Sequence, residues 1–353
     1  MKISKDCIVI RQPDDWHVHL RQGKLAEEVV GLFNIYGRVV CMGNLPDPVD
    51  DLQKTIAYHN AIVRLSNGFL PIIGVMLTKN STVSKIAAIA NVFYGRFFLK
   101  YMPEGVTTNS ESGIPWPELK NFYQILRLAE HRHVPLLIHA EIAEDHKTNQ
   151  PIEEIDREKA AVPYVRELAL AFPKLIINIE HVSTSAMLNL IRVQDNLSAS
   201  ISPNHLVHRY EDVFDEHDVM VNVHKYFKPV AKKEHDRKAV IEAALSGSRK
   251  FFFGSDSAPH FQADKEKFQR AGGFNADTNL AYLCEFFEAH DELVKFEPFV
   301  SGYGALRYNL PQNLCKITLR RQNWRVPWQY HGIVPDLAGR TIKWQVVGQK
   351  INQ

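Results

Sequence analysis

His17 and His19 are separated by one residue in the segment Asp14-Asp15-Trp16-His17-Val18-His19-Leu20-Arg21. On an extended strand, side chains two apart point to the same face. Two imidazoles converging from one strand are half of a divalent-metal site. The other half has to come from elsewhere in the chain. His139 ends the apolar run Val134-Pro135-Leu136-Leu137-Ile138, and His181 follows Leu175-Ile176-Ile177-Asn178-Ile179-Glu180. Lys100 ends Arg96-Phe97-Phe98-Leu99, and Asp256 ends Lys250-Phe251-Phe252-Phe253-Gly254-Ser255. Taken singly, a histidine here could sit satisfied in a core, and Asp256 could cap a helix. Lys100 has no such plain reading, because burying an ammonium is costly. Six such groups at the ends of successive apolar runs are hard to obtain by chance. His59, His131, His133, His146, His208 and His224 lack this placement and read as ordinary histidines.

The elements that must position these groups follow from the same runs. Short apolar or β-branched stretches lie at 16–20, 38–42, 71–77, 96–100, 134–139, 175–181, 197–202 and 250–256. Continuous apolar runs of this length suit parallel strands covered on both faces. The intervening segments have helical periodicity. In 117–131, Leu119, Phe122, Ile125 and Leu126 share one face, and 235–246 and 278–289 read similarly. Strands alternating with helices in this number predict an α/β chain folded as a (β/α)8 TIM-type barrel, with a doubly wound open sheet as the competing architecture. In a barrel, catalytic groups collect at the C-terminal ends of the strands. That is where the six groups fall. From Asn309 onward the chain is rich in Pro, Trp and basic residues, and 341–347 is strand-like. It reads as a C-terminal extension packed on the barrel, which makes 1–353 one domain.

Bulk properties narrow the class further. Among 353 residues, 42 Lys and Arg nearly balance 40 Asp and Glu, leaving a net charge of +2 and no basic footprint for nucleic acid. A composition of 45% hydrophobic and 23% charged residues is that of a globular chain. Cys7, Cys41, Cys284 and Cys315 are far apart, which argues against a disulfide scaffold or a thiolate zinc site. No run approaches the ~18 apolar residues that span a membrane, and the first residues lack the pattern of a signal peptide. A cytoplasmic chain is the expectation.

The ordered motifs resemble the amidohydrolase superfamily, and within it the dihydroorotase family of the compact bacterial type. The resemblance runs from Pro13-Asp14-Asp15-Trp16-His17-Val18-His19-Leu20-Arg21 through Met42-Gly43-Asn44-Leu45, Thr107-Thr108-Asn109-Ser110 and Pro135-Leu136-Leu137-Ile138-His139. It continues through Glu180-His181, Pro203-Asn204-His205-Leu206, Gly254-Ser255-Asp256-Ser257-Ala258-Pro259-His260 and Gly273-Phe274-Asn275-Ala276. It covers nearly the whole chain in order. It implies two zinc ions per subunit: one held by His17, His19 and Asp256, the other by His139 and His181. Lys100, carboxylated on its amine, would bridge them. A carbamate is an anionic ligand, which removes the oddity of a buried cation. By the same resemblance Arg21, Asn44 and His260 hold the substrate carboxylate, and His19 and His139 also touch substrate. The backbone at Lys228 and Ala271 makes further contacts. Thr107 and Thr108 lie on a mobile loop over the site. Two departures stand out: Tyr101-Met102-Pro103 follows Lys100 where Leu-Tyr-Pro is usual, and Lys228 replaces an apolar residue.

The activity implied is reversible closure of N-carbamoyl-L-aspartate to L-dihydroorotate in pyrimidine synthesis, by a cytoplasmic homodimer acting on a small molecule. Asp256 would carry the proton from the attacking water to the leaving nitrogen. The nearest competitor is a hydantoinase. Those enzymes usually add a β-rich domain built from both chain ends, whereas only about a dozen residues precede the first barrel strand here. A one-metal deaminase would not need Lys100 as a bridge. A catalytically dead scaffold barrel would typically have lost ligands.

Overall fold

A computed structural model describes residues 1–350. Eight strands form one parallel sheet: β1 (Asp15–Val18), β2 (Arg38–Met42), β3 (Leu70–Met76), β4 (Phe97–Tyr101), β5 (Leu136–Ile138), β6 (Ile177–Ile179), β7 (Leu197–Ile201) and β8 (Phe251–Phe253). They pair in chain order. The sheet closes where β1 meets the chain just beyond β8. Val18 bridges Ser257, the Asp256 N–H donates to the His17 carbonyl at 2.9 Å, and the His19 N–H donates to the Ser257 carbonyl at 2.9 Å. That closure makes the sheet a (β/α)8 barrel and excludes the open doubly wound alternative.

The outer helices are α1 (Gly23–Val29), α2 (Leu52–Leu65), α3 (Val83–Val92), α4 (Tyr123–Arg132), α5 (Arg157–Ala171), α6 (Ser185–Val193), α7 (Glu234–Leu245) and α8 (Asn279–Ala289). Asp51, Thr82 and Thr184 cap α2, α3 and α6 by accepting from the N–H of Lys54, Lys85 and Met187. The segment expected as one helix over 117–131 begins instead as a 3-10 turn, Trp116–Phe122, and becomes α-helical only at Tyr123. Pro115 and Pro117 flank its start, and Pro117 has no N–H to enter an α-helical ladder.

Alternation divides the strand residues into two layers. Val39, Cys41, Ile73, Val75, Leu99, Ile138, Ile179 and Phe253 face the helices, while Val40, Met42, Ile72, Phe98, Leu137 and Phe252 fill the barrel. Tyr308, after the short helix Tyr303–Arg307, plugs the bottom, its ring 4.9 Å from Trp16 and 4.6 Å from Phe98. Gly304 is required there, since a Cβ would lie 2.1 Å from Trp16 Nε1.

The register of β1 carries one irregularity that matters for the site. Asp15 pairs with Val39 and Val18 with Cys41, so three steps on β1 oppose two on β2. This is a bulge. It lets Trp16 enter the apolar plug while the next residue, His17, also turns to the barrel axis.

The chain ends form a second sheet. Lys2–Ile3, Cys7–Arg11, Lys316–Arg325 and Thr341–Lys350 are antiparallel neighbours in that order. Ile10 opposes Ile317 and Ile8 opposes Leu319. The tail is therefore more than an extension laid on the barrel, because it completes a sheet begun by the N-terminus. The shortness of the N-terminal segment does not, then, set this chain apart from amidohydrolases whose two ends build a β-rich unit. All four cysteines are free, and among the described residues no helix is long and apolar enough to cross a membrane.

Below the barrel, Arg38 holds Asp14 through a two-pronged pair, Nε–Oδ1 2.9 Å and Nη2–Oδ2 2.6 Å, with both side chains buried. Burial raises the Asp14 carboxyl, and Arg38 opposes that rise. Removing one partner of a buried pair leaves the other charge uncompensated. Arg38→Met is expected to lower unfolding free energy by about 3–5 kcal/mol, read from urea denaturation. A loss below about 1 kcal/mol would place the pair among weak surface bridges.

Candidate active site

The C-terminal mouth of the barrel opens into a cleft lined by His17, His19, Arg21, Asn44, Lys100, Thr107, Thr108, His139, His181, Lys228, Asp256 and Ala271, together with Met102, Ala258 and Gly272. Every site residue expected from the sequence borders this cleft except His260, which stands behind Arg21. The structure thus gathers groups from six strand ends and the loops after them.

Two clusters of donor atoms lie on its floor. His17 Nε2 is 3.1 Å from His19 Nε2, and both are 3.4 Å from Asp256 Oδ1. Beside them His139 Nδ1 is 3.2 Å from His181 Nε2, and the His17 and His181 rings are 5.0 Å apart. Donor atoms of His17, His181 and Asp256 all lie within 4.8 Å of one another, and all three residues are buried. Burial, aided by the field of Lys100, pushes the His17 imidazole well below its usual range; burial does the same to His19 and His181. Neutral imidazoles keep the lone pair a metal needs. Burial pushes the Asp256 carboxyl up, against the pull of Lys100.

Lys100 is 1% exposed, and its Nζ has no hydrogen-bond partner. Burial lowers its pKa, against the attraction of Glu180 and Asp256. An orphaned amine amid imidazoles and carboxylates fits the donor set of a metal pair bridged by a modified lysine. The set of nitrogens and oxygens also suits zinc.

Backbone conformation aims several of these groups. His181, Asp256 and Arg21 have φ of 41°, 51° and 62°, a left-handed region that non-glycine residues enter at a cost of roughly 1–2 kcal/mol. At each, the turn comes where the chain leaves a strand.

The sequence reading did not assign two carboxylates behind the histidines. His17 Nδ1 is bonded to Glu180, and His139 Nε2 donates to Glu141 Oε2 at 2.7 Å. Burial pushes Glu180 up to about 7. Burial would raise Glu141 too, but the bond from His139 holds it below its ordinary value. A signal for Glu141 was present: it stands two residues after His139, as His19 does after His17. Glu180 also accepts from Asn178 at 2.6 Å and Ser200 at 3.3 Å, and Asn178 accepts from Ser198 at 2.8 Å. His205, left without a role at the sequence level, stacks its ring 6.4 Å from that of His181. His208 is buried against Asp336 at 2.8 Å, away from the cleft.

At the mouth, Arg21 donates from Nε to the Pro259 carbonyl at 3.1 Å and lies 3.1 Å from His260 Nε2. The Oδ1 of Asn44 is buried without a hydrogen-bond partner. The Arg21 guanidinium gives this rim a cationic donor of the type that suits an anion, and the Asn44 side chain borders the same cleft. Asn109, next to Thr107 and Thr108, donates to the Asn44 carbonyl at 3.2 Å, joining that loop to the rim. The Lys228 side chain turns to an ion pair with Glu154 and lies 5.3 Å over the Tyr226 ring.

No protein-family model matches the chain. Comparison with individual proteins is more informative. A dihydroorotase of Shewanella denitrificans is 35% identical over 353 residues, spanning 96% of this chain and 99% of its own. A dihydroorotase of Synechocystis is 34% identical over 351 residues, with 96% and 99% covered. Among solved structures, the dihydroorotase of Saccharomyces cerevisiae in complex with 5-fluoroorotic acid superposes with a TM-score of 0.88 at 27% identity, covering 97% of this chain and 98% of its own. That of Campylobacter jejuni gives 0.86 at 28% identity, covering 98% and 99%. An L-hydantoinase from Arthrobacter aurescens gives 0.79 at 14% identity, covering 97% of this chain and 83% of its own, a likeness of fold alone.

A carboxylate on the far nitrogen of a ligating histidine fixes its tautomer and orientation. Glu141→Gln is expected to weaken zinc binding about 10–100-fold, measured by competition with a chelating dye. Unchanged affinity would show that His139 is oriented by other means.

Proposed function

The chain belongs to the dihydroorotase family, and on that premise we propose that it catalyses the reversible cyclisation of N-carbamoyl-L-aspartate to L-dihydroorotate, a step of pyrimidine synthesis. One observation supports the reading from family to chemistry: a buried donor set of metal type and the Arg21 guanidinium line one cleft. Such a cleft suits a cyclic amide that also bears a carboxylate.

In this reading His17, His19 and Asp256 would hold one zinc ion and His139 and His181 a second, with Lys100, carboxylated on its amine, as the ligand common to both. When bound, such a pair lowers the pKa of a shared water and polarises the scissile carbonyl. Arg21, Asn44 and His260 bind the substrate carboxylate, and the backbone at Lys228 and Ala271 orients the ring, with His19 and His139 also in contact. Thr107 and Thr108 belong to a loop that closes over the bound ring. Asp256, poised 3.4 Å from both imidazoles of the first cluster, takes a proton from the attacking water. The ring C–N bond breaks, and the same proton passes to the departing nitrogen. Cyclisation runs these steps backwards, releasing water. Family membership supports a cytoplasmic homodimer, with residues 1–353 forming one catalytic barrel unit.

A hydantoinase reading is disfavoured by the rim, since a hydantoin ring carries no carboxylate for Arg21. Purified protein supplied with zinc is expected to consume L-dihydroorotate, followed by ultraviolet absorbance. Hydrolysis of hydantoin without turnover of dihydroorotate would reverse the assignment. Asp256→Ala should lower kcat by about 10²–10⁴-fold. Lys100→Ala should lose most bound zinc and most activity, with partial rescue by a short carboxylic acid. Full zinc content and activity in that variant would remove the bridging role.

A further inference from the structure

Two irregular segments, distant in sequence, border the cleft near Arg21. One contains Lys228, and the other contains Ala271 and Gly272. Irregular backbone has no ladder to hold it, so its buried carbonyls need partners from elsewhere. Here the partner is a single side chain. Lys265, in the short helix Gln262–Phe268, donates from Nζ to the carbonyls of Tyr226 at 3.1 Å, Arg270 at 3.0 Å and Gly272 at 2.6 Å. An ammonium has three donors and no acceptor, which matches three converging carbonyls. Lys265 is 4% exposed and does not line the cleft.

Neighbouring contacts tighten the same junction. The Gly272 N–H donates to the Tyr226 carbonyl at 3.0 Å, and His260 Nε2 lies 3.1 Å from the Ala271 carbonyl. Gly272 has φ of 141°, and a Cβ on it would fall 2.4 Å from the Ala258 carbonyl. The Lys265 side chain bonds both halves of this wall.

We propose that Lys265 is a positioning residue: its ammonium clamps the 226–228 and 270–272 segments at the spacing that the backbone contacts to substrate require. It acts on substrate affinity and not on the metal site or the proton transfer. The inference rests on the dihydroorotase reading, in which Lys228 and Ala271 contact substrate through their backbones.

The test compares wild type with Lys265→Met, Lys265→Gln and Lys265→Arg, each purified with zinc. Lys265→Met is expected to raise KM for L-dihydroorotate at least about tenfold, the effect of losing charge-assisted hydrogen bonds. Its kcat should stay within about threefold of wild type, the pattern of lost uniform binding. Zinc content should be unchanged. Lys265→Arg, which keeps charge and donors, should recover part of the lost affinity. Unchanged KM in the Met variant, or a fall in kcat with loss of zinc at constant KM, overturns the proposal. If the Met variant does not fold, the Gln variant decides by the same criteria.

Hydrogen exchange supplies a readout independent of turnover. The Gly272 amide should exchange faster in the variants while the amides of β1 and β8 keep their protection. Unchanged exchange at Gly272 overturns the clamp even if the enzyme is active. Failure of the wild type to turn over dihydroorotate, with the exchange result as expected, would refute the functional reading and leave the clamp standing.

Discussion

An amine sits at the centre of this barrel with no hydrogen-bond partner, and the surroundings of the cleft are organised around that fact. Lys100 lies one residue before the end of β4, on the inward face it shares with Phe98. Removing a cation from water costs several kcal/mol even after relaxation, unless charge of opposite sign is near. Glu180 and Asp256 attract the amine, but burial raises both carboxyls and still lowers Lys100. The four imidazoles around it are held neutral by burial, so they add no competing positive charge. Beside that amine His17, His181 and Asp256 bring donor atoms within 4.8 Å of one another, a set suited to a metal ion.

The barrel interior is graded to support this. At the bottom, Trp16, Phe98, Phe252 and Tyr308 form a largely apolar plug. Above it Ser198, Asn178 and Ser200 form a polar layer that leads to Glu180. Arg307 donates to Ser198 at 2.9 Å from below, so a continuous chain of hydrogen bonds runs from the barrel floor to His17. Such networks rigidify when every member is satisfied. His17 and His139 are thus held from behind as well as by the strands that carry them, with Glu180 and Glu141 as the immediate contacts.

Rigidity at the rim is achieved differently. Arg21, His181 and Asp256 adopt left-handed backbone conformations, each where the chain turns out of a strand. The wall of the cleft at 226–228 and 270–272 is irregular, with the Lys265 and His260 side chains in contact with its carbonyls. Strand ends give the metal floor its precision, and buried cations and hydrogen bonds give the same to the wall.

The sequence by itself determined the strands, their order and the inward residues at their ends. Each is a local property: an apolar run of fixed length, a period of two, a polar residue where the run stops. Resemblance over nearly the full chain added the expected roles of Arg21, Asn44 and His260. Three things depended on tertiary structure, and for the same reason. The bulge that turns both Trp16 and His17 inward is a mismatch between two strands and has no signature in either. The sheet joining Cys7–Arg11 to Lys316–Arg325 pairs segments about three hundred residues apart, and their register exists only once both are present. Glu180, Glu141 and Lys265 are acidic or basic residues like many others until the fold places His17, His139 and three backbone carbonyls against them. A single chain can show which of its groups are able to hold a metal. Which groups hold those groups is decided by contacts between parts of the chain that do not know of each other until it folds.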